Sequence, residues 1–177
     1  MEKDKVLKSE IAFKGKIFDI KIDEVLLENG NKARRDILVH KGACCGVPID
    51  KDNNVIMVKQ YRHATGEFLL EIPAGGLEIG EDPKECIVRE LQEEIGYKPG
   101  KVEPLFSMWL APGYSSEHLH CFICSDLEES ILPCDDDENL KVVKLSFNEI
   151  ESKILSGEIT DAKTIACCMT VKAKLNL

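Results

Sequence analysis

GGLEIGEDPKECIVRELQEEIGY, residues 75 to 97, carries seven carboxylates against two cationic side chains, and Glu90, Glu93 and Glu94 fall in one five-residue window. The stretch reads as a helix. Asp82 stands at the N-cap position, Pro83 suits the first helical residue, Glu85 occupies the capping-box position and Gly96 ends the run. Ile87, Val88, Leu91 and Ile95 form its apolar side. At about 100° per residue, Glu94 lies roughly 40° around the helix from Glu90 and Glu93 about 60° to the other side. The three carboxylates therefore share one face, where their repulsion opposes packing against protein unless a counter-charge compensates. Arg89 is placed to pair with Glu85 or Glu93. A charge run of this kind forms either a solvated helix face or a cation site.

Outward from the helix the chain alternates short strands and turns. On the N-terminal side IFDIKIDEVLL, the turn ENGNK, RRDILVH and KGACCGVPID read as a β meander; the polar turn Asp52-Asn53-Asn54 then leads into the buried strand VIMVKQY, and EFLLEIP follows as a further strand. On the C-terminal side VEPLFSMWL and HLHCFICSDL read as strands joined by the loop APGYSSE, and Asp135-Asp136-Asp137-Glu138 as a solvated loop before the strand KVVKLS. Ser146 and Glu149 form a capping-box pattern opening FNEIESKIL, Gly157 punctuates, and Asp161 caps AKTIACCMTVKAKL. The pattern predicts one α/β domain over residues 41–177, preceded by a β-rich extension over residues 1–40.

Composition narrows the function classes. The 177 residues are 44% apolar and 31% charged, enough for one sizeable core. No apolar run reaches membrane-spanning length, and MEKDKVLKSE is too polar for a signal peptide, so a cytoplasmic location is expected. A formal charge of −9 argues against a nucleic-acid surface and leaves a small anionic substrate, bridged by metal ions, as the compatible partner. The eight cysteines lack a secretory context and read as free thiols. Cys121-Phe-Ile-Cys124 has CxxC spacing but lies in a strand-like run without a second ligand pair, so buried thiols are expected there rather than zinc.

Gly75, Glu81, Arg89, Glu90, Leu91, Glu93, Glu94, Gly96 and Tyr97 match, in order and spacing, the box of the Nudix hydrolases: Gly, five residues, Glu, seven residues, Arg-Glu-aliphatic, one residue, Glu-Glu, one residue, Gly and a hydrophobic residue. Chance agreement at the seven fixed positions is on the order of one in 10⁸ per starting position, which favours the cation site over the solvated face. The flanks KQYRHATGEFLLEIPAGGLE, RRDILVHKGACCGVPID, APGYSSE and KILSGEITDAKT resemble those of the ADP-ribose pyrophosphatases, over about Phe13 to Thr170, with Ala-Pro-Gly where many relatives have Ser-Pro-Gly.

The resemblance implies an α/β/α sandwich with a mixed β-sheet and an N-terminal antiparallel extension that mediates a homodimer. It implies hydrolysis of ADP-ribose to AMP and ribose 5-phosphate with Mg²⁺, or Mn²⁺, as cofactor. Glu81, Glu90, Glu93, Glu94 and the carbonyl of Ala74 become metal ligands, Arg89 an orienting ion-pair partner, and Gly75 and Gly76 the residues that allow a tight backbone path. Arg62 is expected to contact substrate phosphate or ribose, or else to form a surface salt bridge. Arg35, or Arg34, reaches the substrate of its own or a neighbouring subunit, or is a solvated charge. Phe18 stacks on adenine or packs in the core. Glu117, in the APGYSSE loop, serves as the catalytic base, with Glu93 as its competitor. Two alternatives remain: the same chemistry on another nucleoside diphosphate sugar, and a non-catalytic ADP-ribose sensor. The intact set of box carboxylates, and the lack of room after Thr170 for a DNA-binding domain, oppose the sensor.

Overall fold

The computed structural model describes residues 3–134 and 139–176, so the acidic run Asp135 to Glu138 lies outside the described residues. The chain divides into two compact units, Met1–Gly42 with Trp109–His118, and Ala43–Met108 with Leu119–Leu177.

The first unit is a three-stranded antiparallel sheet, β1 (Lys5–Lys14), β2 (Phe18–Leu26) and β3 (Lys32–His40), in the order β1-β2-β3. The meander expected from the sequence is there, with two differences: β1 precedes it, and the KGACCGVPID segment belongs to the other unit from Ala43 onward. Strand β1 gives no pattern to read because all ten of its residues are exposed, so no buried face imposes a two-residue alternation. The loop 109–118 is fastened to β3: the Leu38 amide donates to the Tyr114 carbonyl at 2.8 Å, the Ser116 amide to the Leu38 carbonyl at 2.9 Å, and the His40 amide to Ser116 Oγ at 3.0 Å.

The second unit holds the core. Its strands are β4 (Ala43–Pro48), β5 (Asn54–Arg62), β6 (Glu67–Glu71), β7 (Ala74–Gly76), β8 (Tyr97–Trp109, the last residue belonging to the first unit), β9 (His118–Glu129) and β10 (Leu140–Ser146). They form two sheets, β7-β4-β9-β8 and β10-β5-β6, the first of them mixed because β4 runs parallel to β9. Helices α1 (Pro83–Glu94), α2 (Phe147–Leu155) and α3 (Ala162–Leu175) cover them.

Strand alternation sorts the buried side chains into two layers. Cys44, Ile56, Val58, Phe122 and Cys124 pack with Cys86, Ile87, Leu91 and Ile95 of the α1 segment. Their neighbours Cys45, Val47, Val55, Met57, Cys121 and Ile123 pack instead with Phe147 and Ile150 of α2 and Cys167, Cys168 and Val171 of α3. The result is the α/β/α sandwich. It also explains the CxxC pair: three residues apart on a strand, Cys121 and Cys124 point to opposite faces and cannot share a ligand. No helix among the described residues is long and apolar enough to cross a membrane.

Candidate active site

Helix α1 begins as its sequence dictates. Asp82 accepts a hydrogen bond from the Lys84 amide at 2.8 Å and Pro83 opens the first turn. The reciprocal bond that would make Glu85 part of a capping box is not among those the described residues form, whereas Ser146 and Glu149 complete theirs on α2. At the other end Gly96 takes φ 74°, a left-handed conformation suited to glycine, and the chain turns into β8.

Two glutamates of α1 are drawn inward: Glu90 is 7% exposed and Glu94 6%. Glu94 accepts the Ala74 amide at 3.1 Å, tying the helix to β7. Arg89 sits among the other carboxylates. Its Nε donates to Glu81 at 3.0 Å, and its Nη1 donates to Glu90 at 2.6 Å and to Glu93 at 2.9 Å. Its Nη2 lies 3.4 Å from the Gly76 carbonyl. Glu81 in turn accepts the Glu78 amide at 2.9 Å, which closes the loop before the helix. Gly75 leaves the space this needs, since a Cβ there would lie 1.9 Å from the Glu90 carboxyl.

The electrostatics follow. Hydrogen bonds from Arg89 hold Glu81 below the ordinary carboxylate range. Burial alone would lower the Arg89 pKa, but the bonds to Glu81 and the charge of Glu90 outweigh it and push it up. One guanidinium bonds Glu81, Glu90 and Glu93, and with Glu94 on the same helix the four carboxylates when ionised leave three negative charges in excess. Hard oxygen donors on a rigid helix face, with that excess and a glycine-lined approach, fit a divalent cation such as Mg²⁺. Arg89 Nη1 bonds both Glu90 and Glu93, so these carboxylates are directed at it. Among the described residues, the three metal-ligand atoms found mutually within 4.8 Å are instead the thiols of Cys45, Cys121 and Cys167. Mutual S–H contacts and burial push the Cys45 thiol up, and contact with Cys121 does the same to Cys167. Ionising that trio would put negative charge among Val47, Ile72 and Leu119, so it packs as neutral thiols.

A second cluster gathers around Arg62, with partners that no local pattern in the sequence pairs with it. Arg62 at the end of β5 makes a two-pronged bond to Glu71 of β6, at 2.7 and 2.8 Å. Glu71 is 1% exposed and also accepts from Lys163 of α3, whose ammonium reaches Asp161 at 3.1 Å. Asp161 caps α3 by accepting the Thr164 amide and hydroxyl, and Thr164 Oγ1 accepts the Ile72 amide at 2.9 Å. The N-terminus of α3 is thereby pinned to the EIPAG segment. Arg62 thus forms a salt bridge, but to a buried partner rather than a surface one, and one edge of its guanidinium is committed to Glu71. Glu71 raises its pKa, and Glu94 contributes to the same effect.

The remaining residues singled out in the sequence lie in the other unit. Arg35 on β3 pairs with Asp4 at 3.2 Å. Phe18 opens β2 and is 37% exposed, so it is not core. Glu117 lies in the loop before β9, its amide donating to Ser115 Oγ at 3.1 Å and its carbonyl accepting the Leu110 amide at 3.4 Å.

Comparison with known proteins accords with this geometry. The NUDIX domain model matches residues 39–166. The chain is 36% identical over 164 residues to a methanol dehydrogenase activator of Bacillus methanolicus, covering 92% of this chain and 89% of that one. It is 34% identical over 163 residues to an ADP-ribose pyrophosphatase of Bacillus subtilis, covering 91% and 88%. The crystal structure of an ADP compounds hydrolase shares the fold, with a TM-score of 0.89 over 99% of this chain and 96% of that chain at 22% identity. A family match across most of the chain, with the box folded around Arg89, leads to one conclusion: the chain belongs to the Nudix family and is a Nudix hydrolase.

Proposed function

We propose that the protein hydrolyses the diphosphate of ADP-ribose to AMP and ribose 5-phosphate, with Mg²⁺ as its metal and Mn²⁺ as a substitute. Nudix hydrolases generally need divalent metal ions. The observation that carries the reading is the carboxylate set shared by Arg89, with Glu94 held on the Ala74 amide. The similarity to ADP-ribose pyrophosphatase supports the substrate.

Glu81, Glu90, Glu93, Glu94 and the Ala74 carbonyl would hold the metal, which when bound neutralises diphosphate charge and promotes ionisation of water. Arg89 fixes the directions of three of those carboxylates, so little reorganisation is needed when charge develops. Arg62, oriented by Glu71, offers the free edge of its guanidinium to a phosphate or ribose oxygen. Glu117 takes the proton of the attacking water, with Glu93 as the rival base. Arg35 reaches the substrate of its own or the neighbouring subunit, Phe18 stacks on adenine, and the N-terminal sheet pairs two copies into a homodimer.

Turnover of ADP-ribose, GDP-mannose, UDP-glucose and NADH with Mg²⁺ and Mn²⁺, with products identified by chromatography, tests this. ADP-ribose should give AMP at the highest kcat/KM. Faster turnover of any competitor moves the substrate to another nucleoside diphosphate sugar, and tight binding without products makes the protein a sensor. The likeness to a dehydrogenase activator supports a second reading, regulation of another enzyme. Under that reading the isolated protein would show little turnover on the panel until a partner dehydrogenase is added.

A further inference from the structure

Seven of the eight cysteines are buried, and two of them are placed unlike the rest. Cys44 on β4 and Cys86 in the first turn of α1 bring their sulfur atoms to 2.8 Å. Cys45 and Cys167, in the core layer behind, stay 3.8 Å apart. A disulfide bond is about 2.05 Å long, so less than about 1 Å of approach separates Cys44 and Cys86 from covalent contact.

Both thiols are buried, and Cys86 has polar groups against it. Cys86 Sγ lies 3.6 Å from the carbonyl of Gly76, an exposed residue, and 3.5 Å from Arg89 Nη2, whose side chain is 29% exposed. Arg89 therefore lies against this sulfur, with N–H groups placed to stabilise negative charge developing on it. The Cys45, Cys121 and Cys167 thiols have apolar core on every layer around them instead.

We propose that Cys44 and Cys86 form an oxidation site, converted to a disulfide by hydrogen peroxide and restored by a dithiol. The Cys86 sulfur attacks one peroxide oxygen, the O–O bond breaks, and water leaves with Cys86 as its sulfenic acid. The Cys44 sulfur then attacks the Cys86 sulfur, the S–O bond breaks, and a second water leaves. The two thiols give up two electrons and two protons, and the peroxide takes all four. Cys44 is paired across the sheet with Gly75, so the link would fasten β4 to α1 around the segment that carries Ala74, Gly75 and Glu81.

The test uses the full chain with Cys134→Ser, which removes the exposed thiol. The folded protein is treated with hydrogen peroxide, unfolded in N-ethylmaleimide, digested and analysed by mass spectrometry. Expected are the loss of two maleimide adducts and one cross-linked peptide joining Cys44 to Cys86, lighter by two hydrogens and released by dithiothreitol. In Cys44→Ala the second step is blocked, and Cys86 should instead be recovered as a dimedone adduct. The proposal is overturned if all seven thiols remain alkylated, if a different pair is joined, or if Cys86 gains two or three oxygens while Cys44 still takes maleimide.

Discussion

A Cβ at position 75 would lie 1.9 Å from the Glu90 carboxyl, a clash that only displacement of Glu90 or of β7 can relieve. Gly75→Ala should therefore lower kcat by about 100-fold or more, because shifts near 1 Å at a reacting centre cost that much. Circular dichroism should still report a folded protein, and a variant with near-normal turnover at saturating Mg²⁺ would show that Glu90 is not needed where it lies. The same scale holds the question of the base. Glu117→Gln should reduce kcat far more than it weakens ADP-ribose binding, since a base acts only in the transition state. If instead Glu93→Gln collapses kcat and Glu117→Gln leaves it intact, the base is Glu93. The box residues were legible because helical spacing and a fixed pattern put Glu90, Glu93 and Glu94 on one face. The bond from Arg89 to Glu93 follows from that spacing, whereas the bond to the adjacent Glu90 and the choice of Glu81 over Glu85 as a further partner depend on how the loop before α1 closes.

The elements α3 and β6 meet through charges that no local pattern announces. Glu71, Asp161 and Lys163 are separated by up to 92 residues, and EFLLEIP reads simply as a strand, so their contact arises only when the sandwich closes. Burial pushes the Glu71 carboxyl up, but the bonds and charges of Arg62 and Lys163 outweigh it and hold it below its ordinary value of 4.5. A depressed carboxylate stabilises the fold fully above that value, and the contribution is lost as pH falls through the lowered one. Glu71→Gln should thus cost about 3 kcal/mol at neutral pH, leaving two cations against an amide. The gap to wild type should shrink below about pH 4. Urea unfolding across pH measures this, and a constant gap would mean that packing rather than charge is lost. Strand β1 was illegible for the opposite reason: with no residue buried, its sequence had nothing to alternate against.

At the scale of the whole molecule, the N-terminal sheet has too little interior to explain its own order. Val25 and Asp23 are its fully buried residues, Asp23 held by the Ser9 hydroxyl at 2.6 Å and by Lys21 at 2.9 Å. Val6, Leu7, Ile11, Phe13 and Ile17 remain between 42% and 67% exposed. Three strands usually need an apolar face packed against something to persist. A second copy of the same sheet, related by a two-fold axis, would supply that cover from identical residues. The chain should therefore sediment as a dimer at micromolar concentration. Phe13→Asp with Ile11→Lys should shift it to monomer, because paired charges at the centre of such a patch oppose association. The catalytic box lies in the other unit, so circular dichroism and Mg²⁺ binding should change little in that variant even as the mass halves. If Arg35 or Phe18 serves the partner's site, ADP-ribose turnover should fall with dimer content. A wild-type chain that sediments only as monomer would remove both the dimer and any role for residues supplied across it.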